Sequence, residues 1–254
     1  MQACNSPRSA GKRLSEATSS ERIGCEVRLR QIRAGGAAGT SRAVKGIQVQ
    51  IQPTVVVLAA GSGSRFGGAR HKLEQSLGGP SVLATTVGHV IASGLPLVVV
   101  TTQALADGMR DLVAARDIVL LPEVGTPGFD LGMGASIAAG VAARPNSRGW
   151  LVLPGDMPLV QAATLRDVAR ELLHHPVVYA QYRGRRGHPV GFASELYSEL
   201  MQLSGDEGAR RLLGRYPSHG VEVDDPGVLL DVDTPADLVV ARATQSSRTP
   251  NPRA

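Results

Sequence analysis

The chain has 254 residues, a formal net charge of +5 and 43% hydrophobic residues, enough apolar material for one large or two small domains, which excludes a short peptide or a wholly disordered chain. An apolar run such as residues 55–60 falls far short of the roughly 18–20 residues that cross a bilayer, so no membrane span is expected, and 3% aromatics leave few platforms for stacking bases of single-stranded nucleic acid. The charge is unevenly placed: residues 1–53 hold nine Lys/Arg and three Glu, whereas the other 201 residues hold 18 basic and 19 acidic groups. The basic character therefore belongs to the N-terminal stretch, and no nucleic-acid partner is implied for the remainder. Both cysteines, Cys4 and Cys25, lie in that stretch, so the rest of the chain carries no disulfide framework, as befits a reducing cytoplasm. Residues 1–51 lack the apolar centre of a secretory signal and are Ser, Arg and Gly-rich. They read as a disordered extension, with an organellar transit peptide or sequence ahead of the true start as alternatives, and are left out of the fold.

From Thr54 onward, short apolar runs alternate with amphipathic stretches, the rhythm of βα units around a mostly parallel sheet. Residues 54–60 read as a buried strand because Val55, Val56, Val57 and Leu58 are consecutive. A helix is expected over 81–93 and a second buried strand over 97–101. Beyond Thr102, Leu105, Met109, Leu112 and Val113 keep helical spacing, and 118–121 is a third strand. Residues 133–143 suit a helix entered through Gly132-Met133-Gly134, and 150–153 form the next strand. Leu165, Val168, Ala169, Leu172 and Leu173 draw the strongest helical stripe. Strands over 177–182 and 188–192 flank residues 183–187, which read as a hairpin or an inserted loop. Thr234-Pro235-Ala236-Asp237 opens the last helix with a Thr cap, Pro at the first helical position and an acid three residues after the cap. One α/β domain over 52–243 is the economical reading, with 244–254 as a disordered tail.

The first strand runs directly into Leu58-Ala59-Ala60-Gly61-Ser62-Gly63-Ser64-Arg65-Phe66-Gly67-Gly68, and Lys72 follows. Glycines bring bare backbone N–H groups against phosphate oxygens, and Arg65 and Lys72 supply positive charge, so the loop suits a polyphosphate. It is not the dinucleotide fingerprint, because the sixth place counted from Gly61 is Phe66 and the second strand ends without a ribose-binding acid. Nor is it a P-loop, since Lys72 stands between His71 and Leu73.

Leu-Ala-Ala-Gly-x-Gly-x-Arg-x-Gly with a later Lys resembles the signature of the MobA-like NTP transferase family. Gly132-Met133-Gly134-Ala135-Ser136, Pro154-Gly155-Asp156-Met157-Pro158, Arg186-Gly187-His188-Pro189, Gly205-Asp206-Glu207-Gly208-Ala209-Arg210 and Asp231-Val232-Asp233-Thr234-Pro235 resemble its molybdenum cofactor cytidylyltransferase branch. The resemblance spans about residues 54–240. It implies a Rossmann-like three-layer sandwich of the nucleotide-diphospho-sugar transferase type, and a cytoplasmic, Mg-dependent transfer of CMP from CTP to the phosphate of a molybdopterin-type cofactor, with release of pyrophosphate. Partners would be CTP or another NTP, that acceptor, and a molybdoenzyme or its chaperone. A guanylyltransferase or another cytidylyltransferase of the same fold is the nearest alternative. An NAD(P)-binding oxidoreductase and a non-catalytic nucleotide-binding protein are the alternatives from other classes. A sugar-phosphate nucleotidyltransferase usually has Pro where His71 precedes Lys72. Phe66 stands where many relatives have Met, and four residues separate Lys72 from Gly67.

Asp156 follows a strand and so sits where open α/β sheets bind ligands; magnesium favours one or two carboxylates completed by phosphate oxygens and water. It is the first choice of metal ligand. Asp231 and Asp233 flank Val232 and would share a face of an extended segment; Asp231, farther from the helix cap, is preferred as the second ligand. Arg65, Lys72 and Asp156 are the expected catalytic residues. Leu58, Ala59, Ala60, Gly61, Gly63 and Ser64, with Gly132, Gly134 and Ser136, are expected to bind the nucleotide. His188, Arg186 and Asp206 fall in segments that the resemblance assigns to the acceptor; Arg183 and Arg185 extend the same basic cluster, whose forks suit phosphate.

Overall fold

The computed structural model describes residues 52–63, 66, 70–123, 125–126, 132–205 and 208–248. Expectations for Ser64, Arg65, Asp206 and the N-terminal stretch up to residue 51 lie outside the described residues.

In chain order the strands are β1 (Thr54–Ala59), β2 (Leu97–Thr101), β3 (Ile118–Leu120), β4 (Gly149–Pro154), β5 (Val177–Tyr182), β6 (Arg185–Ala193) and β7 (Ser218–Glu222). The helices are α1 (Val82–Ser93), α2 (Gln103–Ala106), α3 (Met133–Ala142), α4 (Ala162–Glu171), α5 (Tyr197–Met201), α6 (Arg210–Arg215) and α7 (Pro235–Arg248). Among the described residues the strands form one seven-stranded sheet in the order β3-β2-β1-β4-β6-β5-β7. β1 to β4 pair in parallel, β6 runs antiparallel to both β4 and β5, and β7 is parallel to β5.

The period-2 alternation of a strand sorts β1 between two cores. Val55, Val57 and Ala59 pack on one side with residues of α1, α4 and α7, while Val56 packs on the other with Ile137 and Val141 of α3 and Leu200 of α5. The sheet is thus covered on both faces, as the run of apolar residues in β1 requires. Gly140 lets α3 close on the sheet, since a Cβ there would lie 2.4 Å from Val56 Cγ1. A buried carboxylate ties the far side together: Asp225 Oδ2 accepts from Gln161 N and Thr164 Oγ1, both at 2.8 Å, capping α4 from outside its own segment.

Four expectations are corrected. The helical spacing after Thr102 yields only the four residues of α2, which gives way to a 3-10 turn at Asp107–Met109; Gly108 in that turn is a poor helix former. Leu173 closes the α4 stripe in sequence but is 51% exposed, beyond the helix end. β6 starts at Arg185, not 188, because Arg183 and Gly184 alone make the turn, with φ of 49° and 73°, the two positive values of a tight hairpin. Glu222 holds it, accepting from Arg183 N at 2.6 Å. Finally, α7 continues to Arg248, past the boundary expected at 243. α5, α6 and β7 were not foreseen, being short and without clear periodicity.

Candidate active site

β1 and β4 are adjacent and parallel, so the segments leaving their carboxyl ends meet. Gly155 N donates to Leu58 O at 2.8 Å and Thr86 Oγ1 donates to Gly155 O at 2.9 Å, pinning the turn that carries Asp156 against β1 and α1. A Cβ at Gly155 would lie 2.9 Å from Leu58 O, so only glycine permits this approach. One residue on, the carbonyl of Asp156 accepts from Val232 N at 2.9 Å. Val232 is buried at 2%, and this anchor brings the segment carrying Asp231 and Asp233 beside Asp156.

Three side chains then converge. Lys72 Nζ donates to Asp156 Oδ2 at 2.5 Å and to Asp233 Oδ1 at 2.5 Å; the three side chains are only 14%, 16% and 21% exposed. Burial works against the ammonium charge, but Asp156 and then Asp233 outweigh it and raise the Lys72 pKa above 10.5. Oδ1 of Asp156 is buried and accepts no hydrogen bond from a described residue. Asp231, the preferred second ligand of the sequence reading, is instead exposed, and it is Asp233 that joins Asp156. The physical reason lies in the cap of α7: Asp233 N and Thr234 N both donate to Asp237 Oδ2, at 3.2 and 2.7 Å, which fixes the backbone just where Asp233 enters the site.

The glycine loop is braced by a residue that the sequence reading did not assign. Leu73 N donates to His71 Nδ1 at 3.2 Å, so Nε2 carries the ring proton and donates to Gly61 O at 2.9 Å. The ring lies against Gly63, whose φ is +60° and where a Cβ would stand 2.8 Å from His71 Nε2. Its signal was only its place before Lys72. Ala60, Gly61, Ser62, His71, Glu74, Thr102, Ala104, Leu105 and Glu123 line a cleft of about 210 Å³ beside the loop. Leu58 and Ala59 do not line it; their carbonyls are taken by Gly155 N and Thr101 Oγ1.

The other glycine pair has a packing role. Cβ atoms at Gly132 and Gly134 would come within 2.1 Å of Gly205 C and 2.7 Å of Ser204 N, and Gly134 N already donates to Gly205 O at 2.9 Å. Ser136 is buried at 6%, one turn into α3. On β6 a register shift opposite Tyr179–Gln181 interrupts the strand alternation between Arg186 and Val190, and Arg186 is exposed where His188 is partly buried. The Arg186 guanidinium stacks over Tyr179 at 4.0 Å. Burial depresses the His188 pKa below 6.5 despite a backbone hydrogen bond at Val152 and the charges of Asp156 and Asp231; its Nδ1 is buried without a hydrogen-bond partner among the described residues.

With this geometry in view, comparison with known proteins is informative. The MobA-like NTP transferase domain matches residues 55–221. Purine catabolism protein PucB of Bacillus subtilis is 28% identical over 207 residues, 75% of this chain and 96% of that protein. The molybdenum cofactor cytidylyltransferase of Escherichia coli is 22% identical over 187 residues, 74% of this chain and 94% of that protein. Bifunctional protein GlmU of Leifsonia xyli is 38% identical over 118 residues, 45% of this chain, and the match spans only 24% of GlmU. Among solved structures, Rv0371C of Mycobacterium tuberculosis in complex with manganese superposes with a TM-score of 0.58 at 28% identity, over 76% of this chain and 99% of that one.

Proposed function

The chain belongs to the MobA-like NTP transferase family, it is a nucleotidyltransferase, and on that premise we propose that it transfers CMP from CTP to the terminal phosphate of a molybdopterin-type acceptor. The observation that carries the reading is the convergence of Asp156 and Asp233 on one cation position occupied by Lys72, with the buried Oδ1 of Asp156 left over. Two carboxylates suit a hard divalent ion such as magnesium or manganese, and the manganese-bound relative supports the same chemistry. Asp156 and Asp233 would hold that ion, and when bound it would neutralise charge on the α-phosphate.

The triphosphate would lie over the loop that starts at Gly61, whose carbonyl His71 Nε2 meets at 2.9 Å; Ser64 and Arg65, outside the described residues, are assigned to it from the sequence alone. An oxygen of the acceptor phosphate attacks the α-phosphorus in line; the bond from that phosphorus to the bridging oxygen of the β-phosphate breaks, and pyrophosphate departs carrying the charge. Lys72 and Arg65 stabilise that charge, and no covalent enzyme intermediate is needed, since positioning and charge neutralisation suffice. Arg186 and His188 would contact the acceptor, His188 as a neutral hydrogen-bonding imidazole, and Asp206, outside the described residues, is assigned to it by the resemblance alone. The finished cofactor would pass to a molybdoenzyme or its chaperone. The resemblance of the acceptor segments to the cytidylyltransferase branch, together with the Escherichia coli relative, supports CTP over GTP.

The test is pyrophosphate release with CTP, GTP, ATP and UTP in turn, with magnesium or manganese and a molybdopterin-type acceptor. CTP is expected to turn over fastest, and Asp156→Asn to lose about 100-fold or more. Near-normal turnover by Asp156→Asn would contradict the site, and preference for another nucleotide would contradict the substrate.

A further inference from the structure

Glu171, His175 and His219 lie together, apart from Lys72 and Asp156. Glu171 ends α4, His175 follows four residues later in the connection to β5, and His219 is the second residue of β7, in register with Val178 of β5. The parallel pairing of β5 with the edge strand β7 is what joins them: the chain entering β5 runs beside the chain entering β7. The two imidazole rings stack with centroids 4.1 Å apart and 10° between planes, and His175 Nε2 is 3.9 Å from Glu171 Oε2. One ligand atom from each of the three residues falls within 4.8 Å of the others.

The topology separates this cluster from Lys72 and Asp156. β5 and β4 both run antiparallel to β6, hence parallel to each other. Asp156 follows the carboxyl end of β4, whereas His175 and His219 sit at the amino ends of β5 and β7. The two sets therefore occupy opposite ends of the sheet, about 20 Å apart for a six-residue strand.

We propose that Glu171, His175 and His219 form a zinc site that clips the edge strand β7 to the end of α4. Two imidazole nitrogens and one carboxylate are a donor set that zinc takes with three protein ligands and a fourth position left to water. The nitrogen donors disfavour magnesium, so the metal preferred by Asp156 and Asp233 does not compete here. Tetrahedral zinc at the usual bond lengths sets its ligands roughly 3.3 Å apart, so the observed spacings need only side-chain rotation. Room exists for it: the side chains of His175 and Glu171 are 37% and 36% exposed, and His219 is exposed. On binding, the rings turn from face-to-face contact to point their nitrogens at one centre. The clip holds a strand whose lateral pairing among the described residues is to β5.

The experiment is zinc titration of the full-length chain by calorimetry, in a Cys4→Ser, Cys25→Ser background that removes both thiols, alongside melting curves with and without zinc chloride. The parent is expected to bind one zinc that His219→Gln and His175→Gln each weaken at least 10-fold, with loss of the zinc-induced rise in Tm. Asp156→Asn is expected to keep that zinc, which distinguishes this site from the proposed catalytic one. The clip is overturned if the parent binds no more zinc, and no more tightly, than the two glutamine variants, or if zinc raises their Tm as much as it raises the parent's.

Discussion

Lys72 is the residue on which the site turns, because one ammonium group balances two carboxylates that would otherwise repel. In Lys72→Met, Asp156 and Asp233 are left facing each other in a partly buried place. The expected cost is about 1–3 kcal/mol, less than for a fully buried pair because some solvent reaches the group. Melting in EDTA should show it, and added manganese should restore much of the loss by taking the cation's place. The folded Lys72 pKa is raised, so its stabilising contribution is fully present below 10.5 and is lost only as pH climbs through the higher folded value. A melt series from pH 6 to 9 should therefore show a constant difference between the parent and Lys72→Met. Gly63→Ala is the complementary change, since it forces a side chain into φ +60° and against His71. It should cost about 1–2 kcal/mol and weaken nucleotide binding measured by calorimetry. The sequence singled out Lys72 as a cation for phosphate and Asp156 as a metal ligand, but not that the two side chains pair. The choice between Asp231 and Asp233 was not legible, because alternation alone places both on one face; the Asp156 carbonyl to Val232 N bond and the α7 cap made the choice.

At the scale of elements, α7 matters because its first turn delivers Asp233. Thr234 and Asp237 cap it reciprocally: Asp237 N donates to Thr234 Oγ1 at 3.3 Å, and Thr234 N donates to Asp237 Oδ2 at 2.7 Å. Thr234→Ala should cost about 1 kcal/mol in thermal unfolding and also slow pyrophosphate release by loosening Asp233. The hydrogen bonds from the side chain and then the backbone of Thr234 depress the Asp237 pKa below 3.8. Its contribution is therefore complete above that value and disappears as pH falls through the lower folded pKa. This cap was readable from Thr-Pro-Ala-Asp alone. The cap of α4 was not: its acceptor, Asp225, comes from a segment 61 residues beyond Thr164, and no local pattern announces it. Asp225→Ala leaves the buried Thr164 hydroxyl and Gln161 N–H unpaired and should cost about 2–3 kcal/mol in urea unfolding. α5, α6 and β7 escaped notice for a related reason, since elements of five or six residues are held by packing rather than by their own periodicity.

For the whole molecule, the long buried strands carried the fold class. The consecutive valines of β1 and β2 can be satisfied only with both faces covered, and the structure supplies that cover. The sequence left a hairpin and an inserted loop open at 183–187; the structure makes it a hairpin and inserts β6 between β4 and β5, which turns a parallel sheet into a mixed one and sets Arg186 and His188 on the strand beside β4. That placement brings the β6 residues expected to meet the acceptor onto the strand that pairs with β4, from whose end Asp156 follows. No helix among the described residues is long and apolar enough to cross a membrane. The central claim is that Asp156 and Asp233 together hold a divalent ion beside the glycine loop, and manganese binding followed by electron paramagnetic resonance in the presence of CTP tests it most directly. The account predicts one tightly held ion in the parent and in Asp231→Asn, weakened at least 10-fold in Asp156→Asn and in Asp233→Asn. Undiminished manganese binding by Asp233→Asn, or its loss in Asp231→Asn alone, would contradict it.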